Sequence, residues 1–206
     1  LWFYIYLDYC MKIKITFIYL FIIGLSLSQF GQNILQYEKF EWKYIQTKYF
    51  DVYFYGSGLE HSKFITIESE KAYNKISNYL NWDLKNRYTI IIHNSHNDFQ
   101  QTNVINTYMQ EGIGGVTELY KNRIVIPFDG SAKDFKHVLH HEMVHLFIND
   151  MLYGGSMKNM IYSNVKFIPL WMNEGLAEYL AEKWNANAEM WARDIAINSG
   201  DLPNIN

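Results

Sequence analysis

Residues 141–145 read His-Glu-Met-Val-His, and further along comes Trp171-Met-Asn-Glu-Gly-Leu-Ala-Glu-Tyr179. Nothing else in the chain limits its fold so tightly, because the first stretch must be a helix to do chemistry. On a helix, residues i and i+4 share a face. His141 and His145 can then hold one metal ion from the same side, with Glu142 one step round that face. A catalytic zinc takes three protein ligands and keeps a fourth position open. Neutral imidazole binds the ion without cancelling its charge, and a carboxylate held off the ion makes a general base for water activated there. With this composition, H-E-x-x-H arises by chance in about one chain in a hundred of this length. The alternative is a surface helix that happens to carry those residues.

The surroundings favour the metal reading. Ser131 or Asp134 can cap a helix start, and Phe135, Leu139, Met143 and Leu146 form an apolar stripe with the histidines on its flank. The single cysteine, Cys10, precedes the first methionine, so the domain has no disulfide and its third ligand must be His, Asp or Glu. Glu174 and Glu178 form an i, i+4 pair on a second helix, whose Met172, Leu176, Tyr179 and Leu180 are expected to face a core. Carboxylates on so apolar a helix are costly to bury unless paired or metal-bound. A solvated acidic face continued by Glu182 is the plainer alternative.

Together the two motifs resemble those of the gluzincin zinc metallopeptidases, the group that includes thermolysin and the aminopeptidase N family. The resemblance implies that Glu174 is the third zinc ligand and that Glu178 supports a zinc-bound histidine, most readily His141. More narrowly, residues 37–206 resemble the peptidase-MA-like domain of exported bacterial proteins that continue into a Tol-type β-propeller. Phe40-Glu-Trp-Lys-Tyr-Ile45, Asn94-Ser-His-Asn-Asp-Phe-Gln-Gln-Thr-Asn103, Lys121-Asn-Arg-Ile-Val-Ile-Pro-Phe128 and Ile168-Pro-Leu-Trp-Met172 carry that likeness. It implies a zinc cofactor, a peptide or protein substrate, and cell-envelope partners reached through a propeller beyond residue 206.

Residues 1–31 read as upstream sequence plus a secretory signal: Met11-Lys-Ile-Lys14, an apolar run from Ile15 to Leu27, then small residues before a cleavage near Ser28 or Gly31. The protein is therefore expected to be exported, with residues 32–206 as one domain. At 49% hydrophobic residues the chain can bury a real core, and a net charge of −3 argues against a nucleic-acid surface.

Apolar periodicity places two short strands in Tyr37–Tyr55 turning near Thr47, a helix over Leu59–Leu80 and a strand over Tyr88–Ile92. His93–Asn103 reads as a polar loop opening a short helix at Asp98. Strands over Gly112–Leu119 and Arg123–Phe128 turn at Lys121-Asn122, and a last helix covers Ala188–Ser199. Strands followed by the two metal helices predict an α+β domain with a mixed sheet. Gly114-Gly115 leave room for a substrate backbone along their strand, as in gluzincins, or simply make a turn. His93 and His96 read as loop residues rather than a second metal pair, and His137 and His140 as structural or solvated. Glu118 takes no role. The oxyanion donor is sought among Tyr153, Tyr162 and Tyr179.

Two functions compete. One is a zinc peptidase with Glu142 as general base. The other is a zinc-stabilised, non-catalytic binding or scaffold module of a cell-envelope propeller protein. Glu142 separates them, because a structural zinc needs no base and is closed by a fourth protein ligand.

Overall fold

Short runs of β-branched and aromatic residues pair into one sheet. They are β1 (Trp42–Gln46), β2 (Phe50–Tyr55), β3 (Tyr88–His93), β4 (Val116–Glu118) and β5 (Arg123–Pro127). The computed structural model describes residues 37–56, 59–102, 112–118, 121–154 and 168–198, with Lys14, Ser156 and Asn159. The strand order is β1-β2-β3-β5-β4. The two outer pairings are antiparallel and the two inner ones parallel. Five helices accompany them among the described residues: α1 (Leu59–Leu80), α2 (His96–Gln100), α3 (Ala132–Tyr153), α4 (Leu170–Glu182) and α5 (Ala186–Asn198). This is an α+β domain with a mixed sheet. A parallel pair needs a crossover, and α1 supplies it between β2 and β3.

Strand alternation decides what faces the helices. Phe50 and Val52, Ile90 and Ile92, and Ile124 and Ile126 meet Ile65, Ala72 and Ile76 of α1 and Leu139, Met143 and Phe147 of α3 in one buried core. Val116 packs on the opposite face, against Phe99 and Val125. Its neighbour Thr117 therefore turns towards α3. Ser131 caps α3, its Oγ accepting from Asp134 N at 3.2 Å. The helix stops at Gly154, whose φ of 60° brings its N–H onto Asp150 O.

Asp150, to which the sequence assigns nothing, pins this end of α3. It is fully buried and accepts from Tyr88 Oη at 2.5 Å, Trp82 Nε1 at 2.9 Å and the Lys85 N–H at 3.2 Å. Burial, then the Asp150 contact, pushes the Tyr88 phenol upward.

Helix α4 departs from expectation. Ala177 and Leu180 are its buried residues and Leu176 packs beside them, while Met172 and Tyr179 are exposed. The helix is rotated so that its inward stripe runs nearer the carboxylates than the large apolar side chains suggest. Small Ala177 meets the core, and Glu174 and Glu178 come to the edge of the α3 contact. Helix α5 buries none of its residues. Among the described residues no helix is long and apolar enough to cross a membrane. Apart from Lys14, the proposed signal segment lies outside the described residues, as does Tyr162.

Candidate metal centre

Packing of α4 on α3 brings the sequence-designated ligands together. His141 Nε2 lies 3.2 Å from Glu174 Oε2 and 3.1 Å from His145 Nε2, and the third edge, His145 Nε2 to Glu174 Oε2, is 3.5 Å. Tetrahedral ligands at about 2.0–2.1 Å from zinc stand about 3.3 Å from one another. The triangle thus has the dimensions of one face of such a tetrahedron. Its donor set, two imidazoles and a carboxylate, also suits zinc. The 3.1 Å approach of two imidazole nitrogens otherwise sets one lone pair against another unless a proton or cation lies between.

His141 Nδ1 faces Glu178 Oε2 at 3.3 Å. Donation of the Nδ1 proton to that carboxylate leaves Nε2 with its lone pair turned to the triangle. Glu142 is buried beside these residues. Its Oε2 accepts from Thr117 Oγ1 at 2.6 Å, and the same hydroxyl lies 2.9 Å from the Glu142 carbonyl. Burial pushes the Glu142 carboxyl above its ordinary range. The Thr117 hydrogen bond and His145 oppose that, and Glu174 adds to it. A carboxyl moved towards neutrality is better matched to both taking and returning a proton.

A cleft of about 270 Å³ opens on Glu142, His145 and Glu174, with Thr117, Tyr153 and Asn173 on its walls. Of the described tyrosines considered as oxyanion donors, Tyr153 is found there. Tyr179 sits elsewhere, edge-on to Tyr79. Asn173 Oδ1 is buried with no hydrogen-bond partner among the described residues. The sequence reading missed Asn173 and Thr117. The signals for them were a polar residue directly before Glu174 and a hydroxyl on the helix-facing phase of β4.

Other expectations change. A Cβ on Gly115 would meet Val138 Cγ1 at 2.9 Å, Glu142 Cγ at 3.1 Å and Ile126 Cγ1 at 3.3 Å, and one on Gly114 would meet Val138 Cγ2 at 3.0 Å. Their missing side chains let α3 and its carboxylate approach the sheet, so the space is already filled by protein. His137 is not merely solvated: Nε2 is 3.3 Å from Glu178 Oε2 and Nδ1 is 3.4 Å from Glu182 Oε1. His93 and His96 are not loop residues, since His93 ends β3 and His96 opens α2; neither belongs to a converging ligand group among the described residues. His93 is buried among the rings of Phe40, Trp42, Tyr55 and Phe99, and burial lowers it to about 4. His140 is likewise buried and lowered to about 4, by burial first and then by Lys75 and Lys136. Glu118 is taken up by Arg123 and Lys121.

No protein-family model, curated protein or solved structure matches the chain.

Proposed function

We propose that the chain is a zinc-dependent peptidase of gluzincin type, and that His141, His145 and Glu174 hold its metal. The observation that carries this reading is the triangle of ligand atoms with edges of 3.1–3.5 Å together with the buried Glu142 on the same cleft. Zinc bound there would supply Lewis-acid chemistry, polarising a substrate carbonyl and acidifying a water. Glu142 takes the proton from the attacking water and returns it to the leaving amine. Thr117 fixes one oxygen of that carboxylate, which leaves the other for the transfer. Glu178 orients His141, and Tyr153 stands on the cleft wall as a donor to the developing oxyanion. Strand β4 ends the sheet order, and its outer edge offers backbone groups to an extended peptide. Export, by the Met11–Leu27 segment, belongs to the same proposal and rests on sequence alone.

Incubation of the zinc-loaded full chain with an unbiased peptide mixture tests the reading. Cleavage is expected, with loss on chelation and loss in Glu142→Gln at unchanged metal content. A chain holding its zinc that cleaves nothing would leave the zinc-stabilised binding or scaffold module instead.

A further inference from the structure

His137, His141 and His145 recur every fourth residue along α3, and Glu174, Glu178 and Glu182 do the same along α4. The two rows interleave. At the centre described above, His141 turns Nε2 to Glu174 at 3.2 Å and Nδ1 to Glu178 at 3.3 Å. One turn outward the arrangement repeats: His137 turns Nε2 to Glu178 at 3.3 Å and Nδ1 to Glu182 at 3.4 Å. A metal-bound histidine commonly hands its other N–H to a carboxylate. His141 Nδ1 makes that contact with Glu178 as a hydrogen bond; His137 Nδ1 stands 3.4 Å from Glu182 Oε1, within reach of the same support but not hydrogen-bonded to it.

We propose that this outer turn is a second, weaker site for a zinc-like divalent cation, with His137 Nε2 and Glu178 as its protein ligands and Glu182 supporting His137. Imidazole with carboxylate selects that class of ion over magnesium or calcium. Geometry also sets the ranking of the two sites. The ligand atoms of His137, His141 and Glu178 lie within 4.8 Å of one another, and among the described residues His141 is the third member of that group. Its Nδ1 carries a proton whenever Nε2 serves the inner ion. The outer site then has two protein ligands against three, and solvent completes it. It is also slightly more open, Glu178 and His137 being 56% and 26% exposed against 49% for Glu174, 20% for His141 and 13% for His145. Because one Glu178 oxygen faces both histidines, a cation taken up outside withdraws support from His141. The proposal rests on the metallopeptidase reading only for which site fills first.

The test is a zinc titration of the tag-free, metal-free full chain, followed by calorimetry and by equilibrium dialysis with zinc analysis. The parent is expected to show a tight phase and a separate weaker phase. His137→Ala should lose the weaker phase and keep the tight one, with its helical circular dichroism unchanged. Glu182→Gln should keep both phases and weaken the outer one by about 10-fold. A parent with a single tight phase overturns the second site and leaves the inner centre standing. His137→Ala that retains both phases, or that weakens only the tight one, overturns it as well. A parent that takes up no zinc at all removes the inner centre with it.

Discussion

Gly115→Ala probes the packing that holds the proposed base. The added Cβ would sit 2.9 Å from Val138 Cγ1, 3.1 Å from Glu142 Cγ and 3.3 Å from Ile126 Cγ1. Carbon atoms rest comfortably at about 3.5–4.0 Å. Val138 must therefore yield by at least about 0.6 Å and Glu142 by about 0.4 Å. Ile126 belongs to the core and has the least freedom to move. Overpacking of this kind costs about 1–3 kcal/mol. In a domain of this size each kcal/mol shifts Tm by about 2–4 °C, so a fall of about 2–12 °C is expected. Misplacing a catalytic group by ~1 Å costs about a hundredfold in rate, so a shift near half that should lower kcat several-fold. The three atoms nearest this Cβ belong to Val138, Glu142 and Ile126 and not to His141 or His145, so zinc content should hold. Val138→Ala removes the closest atom, and the double variant should be more stable than the two single losses imply, by about 0.5 kcal/mol or more. Thermal unfolding of the four proteins, with kcat and KM on one peptide, reads all of this. An unchanged Tm with a raised KM alone would refute the packing argument and return Gly115 to a substrate-facing role.

Asp150→Ala orphans the buried Tyr88 hydroxyl and two partly buried N–H donors, of Trp82 and Lys85; a buried donor left unpaired costs about 1–3 kcal/mol and the partly buried ones less, so a loss of about 2–5 kcal/mol is expected by denaturant unfolding. Asp150→Asn should lose less, and equal losses would deny the carboxylate its special part. Glu178→Ala should weaken the tight zinc phase by about 10–100-fold in competition with a chelator, and unchanged affinity would remove it from the support of His141. His93 is held near 4 by burial, against an ordinary 6.5. A histidine lowered on folding favours the neutral form, so its stabilising effect is complete above about pH 6.5 and is lost as pH falls through about 4. The full loss is about 3 kcal/mol, and His93→Phe should flatten part of the fall in urea stability measured in chelator between about pH 7 and pH 4.5. An identical pH dependence in the variant would show that His93 is not the source.

What the sequence revealed was mostly what is local or periodic. The aromatic and β-branched run of Tyr37–Tyr55, the continuous apolar run of Tyr88–Ile92, the helical apolar repeat of Leu59–Leu80 and the cap offered by Ser131 all translate into elements. The i, i+4 histidines needed only a helix to share a face. Placement across space was less legible. Met172 and Tyr179 are large and apolar and read as core, yet the rotation of α4 leaves both exposed, because contact with α3 is set by small Ala177. Thr117 becomes a partner of Glu142 only once β4 is laid beside α3. Asp150 reads as one more helix-end acid until Trp82, Lys85 and Tyr88 converge on it. His137 looked peripheral because its value depends on Glu178 and Glu182, which lie on another helix.

The central claim is that His141, His145 and Glu174 bind one zinc with a coordination position left open. Zinc X-ray absorption of the full chain loaded with less than one equivalent measures that most directly. The expected spectrum is that of a four-coordinate ion with nitrogen and oxygen neighbours at about 2.0–2.1 Å and the multiple scattering of two imidazoles, reduced to one imidazole in His145→Ala. A spectrum with no imidazole scattering, or one unaltered by His145→Ala, would contradict it.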